Sequence, residues 1–347
     1  MNDIDLLEGL LRYYSPPENE SEAVKFLTHQ MRQRGFDEVY VDQAGNAIGC
    51  KGNGKYELIL LGHIDTVPGY IEVTRDQDIL YGRGAVDAKG PLACFSAAVS
   101  KAKIGPEWRV IVIGAVCEEG DSRGAKFVVD KYHPQLVIIG EPSGWDRLTL
   151  GYKGSAWVKY SISTPLSHTA AKTKSACEIA VSYWMKVLEM CTQFNKNKDK
   201  NFMQLTPGLR NMGNNQDGFI DTAFLSMNFR LPPDLSLSEL MSRLESIKEE
   251  GLLLLEDGVV SFRSEKNSIL VRTFLSAIRK QGGKPVFTTK TGTSDMNVVA
   301  PVWQVPILAY GPGDSDLDHT PHEHLNLSEF QKSIDILVDV IENITNS

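Results

Sequence analysis

Hydrophobic positions along the chain follow two alternating periods. LILLGHI (58–64), RVIVIGAV (109–116) and LVIIG (136–140) are short apolar runs of strand length. EAVKFLTHQMRQRG (22–35) instead carries its apolar residues at helical spacing and stops at Gly35, with the ENES segment before it offering N-cap candidates. Between the first two strands, Pro91 opens a second helix through PLACFSAAVSKA, in the first-turn position that proline favours. Strands alternating with helices predict an α/β layer built on a largely parallel mixed sheet flanked by helices.

The pattern changes near Gly151. Trp157–Ser163 alternates as a half-buried strand, SACEIAVSYWMKVLEMCTQF (175–194) is a long amphipathic helix, and strand-like stretches follow at Phe202–Leu205 and Phe219–Arg230. The helix LSLSELMSRLESIKEEG and the strand GVVSFRS complete a β-α-β-β-α-β order, the ferredoxin-like arrangement of an α+β insert. After residue 265 the α/β alternation resumes and ends in the helix Leu327–Ile344. Two domains are therefore expected, 1–150 with 265–347 and an inserted 151–264, as suits 347 residues when single cores stop growing near ~250–300.

Composition narrows the function. A net charge of -8 lacks the basic footprint that nucleic-acid binding needs. No apolar run approaches the ~18 residues of a membrane span, and the acidic start MNDIDLLEGLLRYYSPPENE has no signal-peptide character, so a cytoplasmic protein is expected. Five cysteines (Cys50, Cys94, Cys117, Cys177, Cys191) form no CxxC pair, which fits reduced, buried thiols. Cys117 stands beside two glutamates, but it follows an apolar strand and is read as packing.

The acidic residues fall where the strands stop. His63 ends the first strand with Asp65 two residues on, the second runs into Glu118 and Glu119, and the third into Glu141; Asp87 lies in the turn GRGAVDAKGP before a helix. Open α/β sheets bind ligands outside the carboxyl ends of their strands, so these groups converge on one crevice. Two carboxylates ~4 Å apart repel by roughly 4 kcal/mol at an effective dielectric of about 20. Such a cluster calls for a cation, and histidine with carboxylates but no thiolates suits zinc, cobalt or manganese.

LGHIDTVPG, GRGAVDAKGP, GAVCEEG and IIGEPS, in this order over nearly the whole chain, resemble the successive motifs of the M20 metallopeptidases. The resemblance implies an amidohydrolase with two divalent ions, zinc or alternatively cobalt, in which His63 and Glu141 ligate one metal, Asp87 bridges and Glu119 ligates the second. Asp65 would orient His63, and Glu118 would be the general base, its side chain pointing opposite to that of Glu119 along an extended segment. GPGDSDLDHTPHEHL holds His319, His322 and His324, and spacing alone does not choose among them. The family pattern, a histidine followed four residues later by glutamate, matches His319 and Glu323. By the same resemblance Arg230 would clamp a substrate carboxylate, with Thr293 and Ser294 of KTGTSDMN beside it, and the insert would be a lid and dimerisation domain. His168 would serve the oxyanion in the active site of the other protomer of a homodimer. GEPSGW, LTLGYKG and DAKGPLA look like the members that release lysine or ornithine from the γ-carboxyl of an acidic carrier protein's C-terminal glutamate. The same chemistry would serve a deacylase acting on acetyl-ornithine or succinyl-diaminopimelate, or a dipeptidase.

Overall fold

The structure is a computed structural model that describes residues 2–168, 170 and 172–346. It divides into two compact units. One holds the chain up to Gly151, Ser264–Thr289 and the stretch from Ser294 onward, and the other holds Tyr152–Arg263 with Lys290–Thr293.

The first unit is built on a mixed sheet. Its spatial order is Glu38–Val41, Ala47–Lys51, Trp108–Ala115, Tyr56–His63, Leu136–Gly140, Ile307–Ala309 and Arg147–Tyr152, with Val286–Lys290 beside the last. The central strands, from Trp108–Ala115 to Ile307–Ala309, run parallel, while the outer pairings are antiparallel. Leu58, Leu60, Val110, Val112 and Ile138 share one core with Leu92 and Phe95 of the helix Lys89–Lys101 and Phe330 of Leu327–Thr345. Covering by helices explains why these strands are apolar runs rather than alternations. Register levels their ends: Gly62 pairs with Gly114 and Gly140, and His63 with Ala115. A side chain at Gly140 would meet the Phe95 ring at 2.8 Å, so glycine lets the helix pack close beneath that edge.

The second unit is an antiparallel sheet in the order Thr206–Gln216, Ile220–Leu231, Gly154–Pro165, Leu252–Val259. The helices Ala176–Asn195 and Leu237–Ser246 contribute Ala180, Tyr183 and Leu240 to its core with Val158, Tyr160, Leu225 and Met227. This is the ferredoxin-like arrangement.

Three local expectations change, one being the strand that completes the insert, which is Leu252–Val259 and not GVVSFRS (258–264). Phe202–Leu205 is not a strand: Asn201–Met203 forms a single 3₁₀ turn, and the buried Lys153 amine donates to the Asn201 and Gln204 carbonyls around it. The strand is TPGLRNMGNNQ, whose glycines and asparagines hide it from propensity, and its pairing with Ile220–Leu231 imposes the extended form. The helix Ser21–Gln33 also starts without a side-chain cap, because the Glu20 carboxylate is used elsewhere. Among the described residues no helix is long and apolar enough to cross a membrane.

Candidate metal centre

His63 closes its strand with its ring 1% exposed. Nδ1 donates to the Asp65 carbonyl at 2.9 Å, a group that can only accept, and this turns Nε2 toward Asp87 Oδ1 at 3.1 Å and Glu141 Oε1 at 3.9 Å. Asp65 stands against this ring with both its backbone and its side chain. The backbone carbonyl makes the close contact, while Asp65 Oδ1 lies 3.6 Å from Nδ1. The Asp65 carboxylate accepts from the backbone N–H of Glu118 at 3.0 Å and of Glu119 at 2.9 Å.

That pair of bonds belongs to a turn and not to the extended segment expected for Glu118 and Glu119. The strand ends at Ala115, and Glu118 and Glu119 lie in a turn entered through Cys117 at φ 59°. A non-glycine residue in that region needs its surroundings to hold it there. Glu20 Oε1 does so, accepting from both the N–H and the Sγ of Cys117 at 3.1 Å. Cys117 is thus a buried turn residue, its thiol pushed up to about 12 by burial and by Glu20.

Asp87 sits in the turn before Lys89–Lys101, and its peptide bond to Ala88 is cis. Its second oxygen, Oδ2, lies 2.9 Å from His319 Nε2, and the same nitrogen is 2.9 Å from Glu119 Oε1. The carboxylate therefore has one oxygen toward each histidine. Possible ligand atoms of His63, Asp87 and Glu141 lie within 4.8 Å of one another, as do those of Asp87, Glu119 and His319 and those of His63, Glu118 and Glu119. The first two sets share Asp87. Geometry also chooses among the C-terminal histidines: His324 packs its ring on Tyr81, His322 is exposed, and His319 faces the cluster.

Charge supplies the test of fit. Among the described residues no lysine or arginine ion-pairs with Asp87, Glu118, Glu119 or Glu141, and the imidazoles of His63 and His319 are the basic groups beside them. Burial, reinforced by Asp87, raises the Glu141 carboxyl, and burial with Glu141, Asp295 and Glu119 nearby raises that of Glu118. Hydrogen bonds that His319 donates to Asp87 and Glu119 lift its ring to about 10. Burial acts against protonating His63, but Asp65, Asp87 and Glu118 outweigh it and raise the ring's pKa. Such groups crowd together stably with protons or divalent cations among them, and the donor set is that of a two-cation site.

Arg230, Thr293, Ser294 and His168 complete the predicted set. Arg230 is half-buried in the insert, with Nη1 3.4 Å from Thr293 Oγ1. Ser294 is buried and its hydroxyl accepts from Met296 N, capping the helix Asp295–Trp303, so that oxygen is already engaged. His168 is exposed on the insert, its Nδ1 accepting from Ala170 N. Asp295, Glu20, Arg83 and Glu323 were not singled out for function from the sequence. Asp295 is buried, neither of its carboxylate oxygens is hydrogen-bonded among the described residues, and burial raises it to about 7. The one hint in the sequence was the place of Glu323 four residues after His319.

A histidine–carboxylate cluster at the carboxyl edge of a parallel sheet, in a chain that also carries a ferredoxin-like insert, defines the class of two-metal amidohydrolases. Comparison makes the assignment particular: the model of peptidase family M20/M25/M40 matches residues 59–343. The chain belongs to this family and is an amidohydrolase. A [LysW]-lysine hydrolase of Deinococcus radiodurans is 42% identical over 94% of this chain and 92% of its own length. A putative [LysW]-lysine/[LysW]-ornithine hydrolase of Thermococcus kodakarensis is 39% identical over 98% and 92%. Among solved structures, aminopeptidase PepT of Bacillus cereus shares the fold at a TM-score of 0.80 and 19% identity, with 99% of each chain covered. The YXEP protein of Bacillus subtilis, a dinuclear metal-binding peptidase of the M20 family, does so at 0.75 and 11%, covering 99% of this chain and 98% of that one.

Proposed function

We propose that this chain hydrolyses the amide bond joining lysine or ornithine to the γ-carboxyl of the C-terminal glutamate of a small acidic carrier protein, a step of amino-acid biosynthesis in the cytoplasm. The observation that carries this reading is the near full-length likeness to hydrolases named for that carrier, in a chain that keeps the whole histidine–carboxylate cluster.

In this reading His63, Asp87 and Glu141 hold one cation and Asp87, Glu119 and His319 the other, zinc in the first place and cobalt as the alternative. Bound there, divalent ions polarise a carbonyl oxygen and lower the pKa of water from 15.7 toward ~7. The protein's own part begins with Glu118, which takes the proton of the attacking water and delivers it to the leaving amine. Burial and neighbouring acids raise its carboxyl, in the direction that general acid–base work at neutral pH requires. Asp65 fixes the peptide of both glutamates and so sets where that base points. Arg230, with Thr293, is assigned to the substrate carboxylate, a task suited to the guanidinium fork. His168 is assigned to the oxyanion within a homodimer.

The test is a substrate panel on metal-loaded enzyme. Cleavage of lysine or ornithine from the carrier's C-terminal γ-glutamyl group should exceed cleavage of acetyl-ornithine or succinyl-diaminopimelate; faster turnover of the small acyl substrates would overturn the reading. Glu118→Gln should retain the metal and lose at least ~100-fold in turnover.

A further inference from the structure

Asp87 is placed by a turn with little regular structure of its own. GRGAVDAKG (82–90) runs from the short strand Ile79–Tyr81 to the helix at Lys89, and Gly84 within it has φ 89°, a conformation that glycine adopts without strain. The backbone N–H groups of Gly84, Val86 and Asp87 converge on a single atom, Glu323 Oε1, at 3.1, 2.9 and 3.0 Å. Its other oxygen accepts from Arg83 Nη1 at 2.9 Å, and the pair is almost wholly buried, Glu323 1% and Arg83 7% exposed. Arg83 donates onward to the Thr320 carbonyl at 3.1 Å and through Nε to the Gly69 carbonyl at 2.8 Å. Gly82 N donates to the Glu323 carbonyl, and His324–Asn326 pairs with Ile79–Tyr81. The segment carrying His319 is therefore knitted to the turn carrying Asp87, and Glu323 is the knot.

We infer that Glu323 is a positioning residue for the two-cation centre: its carboxylate, held by Arg83, gathers three backbone N–H groups and so sets Asp87 and His319 in register with each other. A buried carboxylate is costly unless its oxygens are fully bonded, and here every bond it accepts, that of the Arg83 side chain included, comes from the Asp87 turn. The alternative is a buried ion pair that holds two loops together without bearing on the cations. The inference rests on the assignment of Asp87 and His319 as ligands.

Two double variants separate the alternatives, because both remove the ion pair and only one keeps an acceptor. R83M/E323Q retains a side-chain carbonyl for the three N–H groups; R83M/E323M leaves them without a partner. Cobalt is titrated into metal-free protein, and its visible absorption and stoichiometry are recorded beside a melting curve for each variant. Wild type should take up two Co²⁺ per chain. R83M/E323M should bind about 10–100-fold more weakly, the usual effect of losing a group that orients a ligand, with a changed cobalt spectrum. R83M/E323Q should recover most of the affinity and the wild-type spectrum. If the two variants bind cobalt alike, both as wild type or both equally weakened, positioning through the N–H groups is overturned while the metal-centre reading stands. Fewer than two Co²⁺ on wild type would overturn both.

Discussion

At the scale of single residues, the centre is held by groups one step removed from the cluster. Asp65 shows how. Its identity and place beside His63 are plain in HID, yet its carboxylate serves the Glu118–Glu119 turn, because that turn leaves two backbone donors facing it. Asp65→Asn keeps the size and one acceptor oxygen but sets an amide NH₂ against one of the N–H groups. About 10–100-fold should be lost from kcat/KM with the metal content retained, the range seen when a ligand's supporting partner is altered. Steady-state kinetics and metal analysis by mass spectrometry check this together, and turnover like wild type would show that the turn holds its shape unaided. Glu20 makes the complementary case. It lies almost a hundred residues from Cys117 and supports the same turn from below. No spacing in the sequence signals such a contact.

At the scale of elements, periodicity was a sound guide where burial was uniform. The three apolar strands and the long helices of both units carry their signal in their own residues. It failed at the edge strand Thr206–Gln216, where the partner strand dictates the form, and in the 3₁₀ turn at Asn201–Met203, where Lys153 does. Lys153 joins two strands, Arg147–Tyr152 and Gly154–Pro165, and its side chain is fully buried. Burial, with Arg230 adding to it, holds its amine down to about 8. An unfolded chain keeps that proton to about 10.4. Between these values the unfolded state binds more protons, so stability must rise with pH through this group; below about 8 both states hold the proton and the slope vanishes. Lys153→Met lacks this slope. Denaturant melts of both proteins from pH 7 to 10 should show wild type gaining on the variant above about pH 8, and a constant difference would contradict the burial of a charged amine there.

At the scale of the whole molecule, the metal centre is also a stability element. The carboxylates brought to one edge by the strands that His63, Ala115 and Gly140 close repel one another when neither protons nor cations lie among them. Chelation should lower the melting temperature of the α/β unit, and returning cation to about 1,000 times its dissociation constant should restore about 4 kcal/mol. Calorimetry with and without chelator reads this directly; an unchanged transition would mean that the cluster does not bind cations tightly. The sequence by itself determined the layers, the insert and the histidine and acids at the ends of the apolar strands, because hydrophobic period and strand ends are properties of neighbouring residues. Only the tertiary structure decided which of three histidines faces Asp87, which atom of Asp65 holds the imidazole, and that Glu323 gathers the Asp87 turn. Those outcomes depend on backbone donors and acceptors left over when loops from distant parts of the chain are packed together, and the chain order alone does not reveal where such leftover groups will meet.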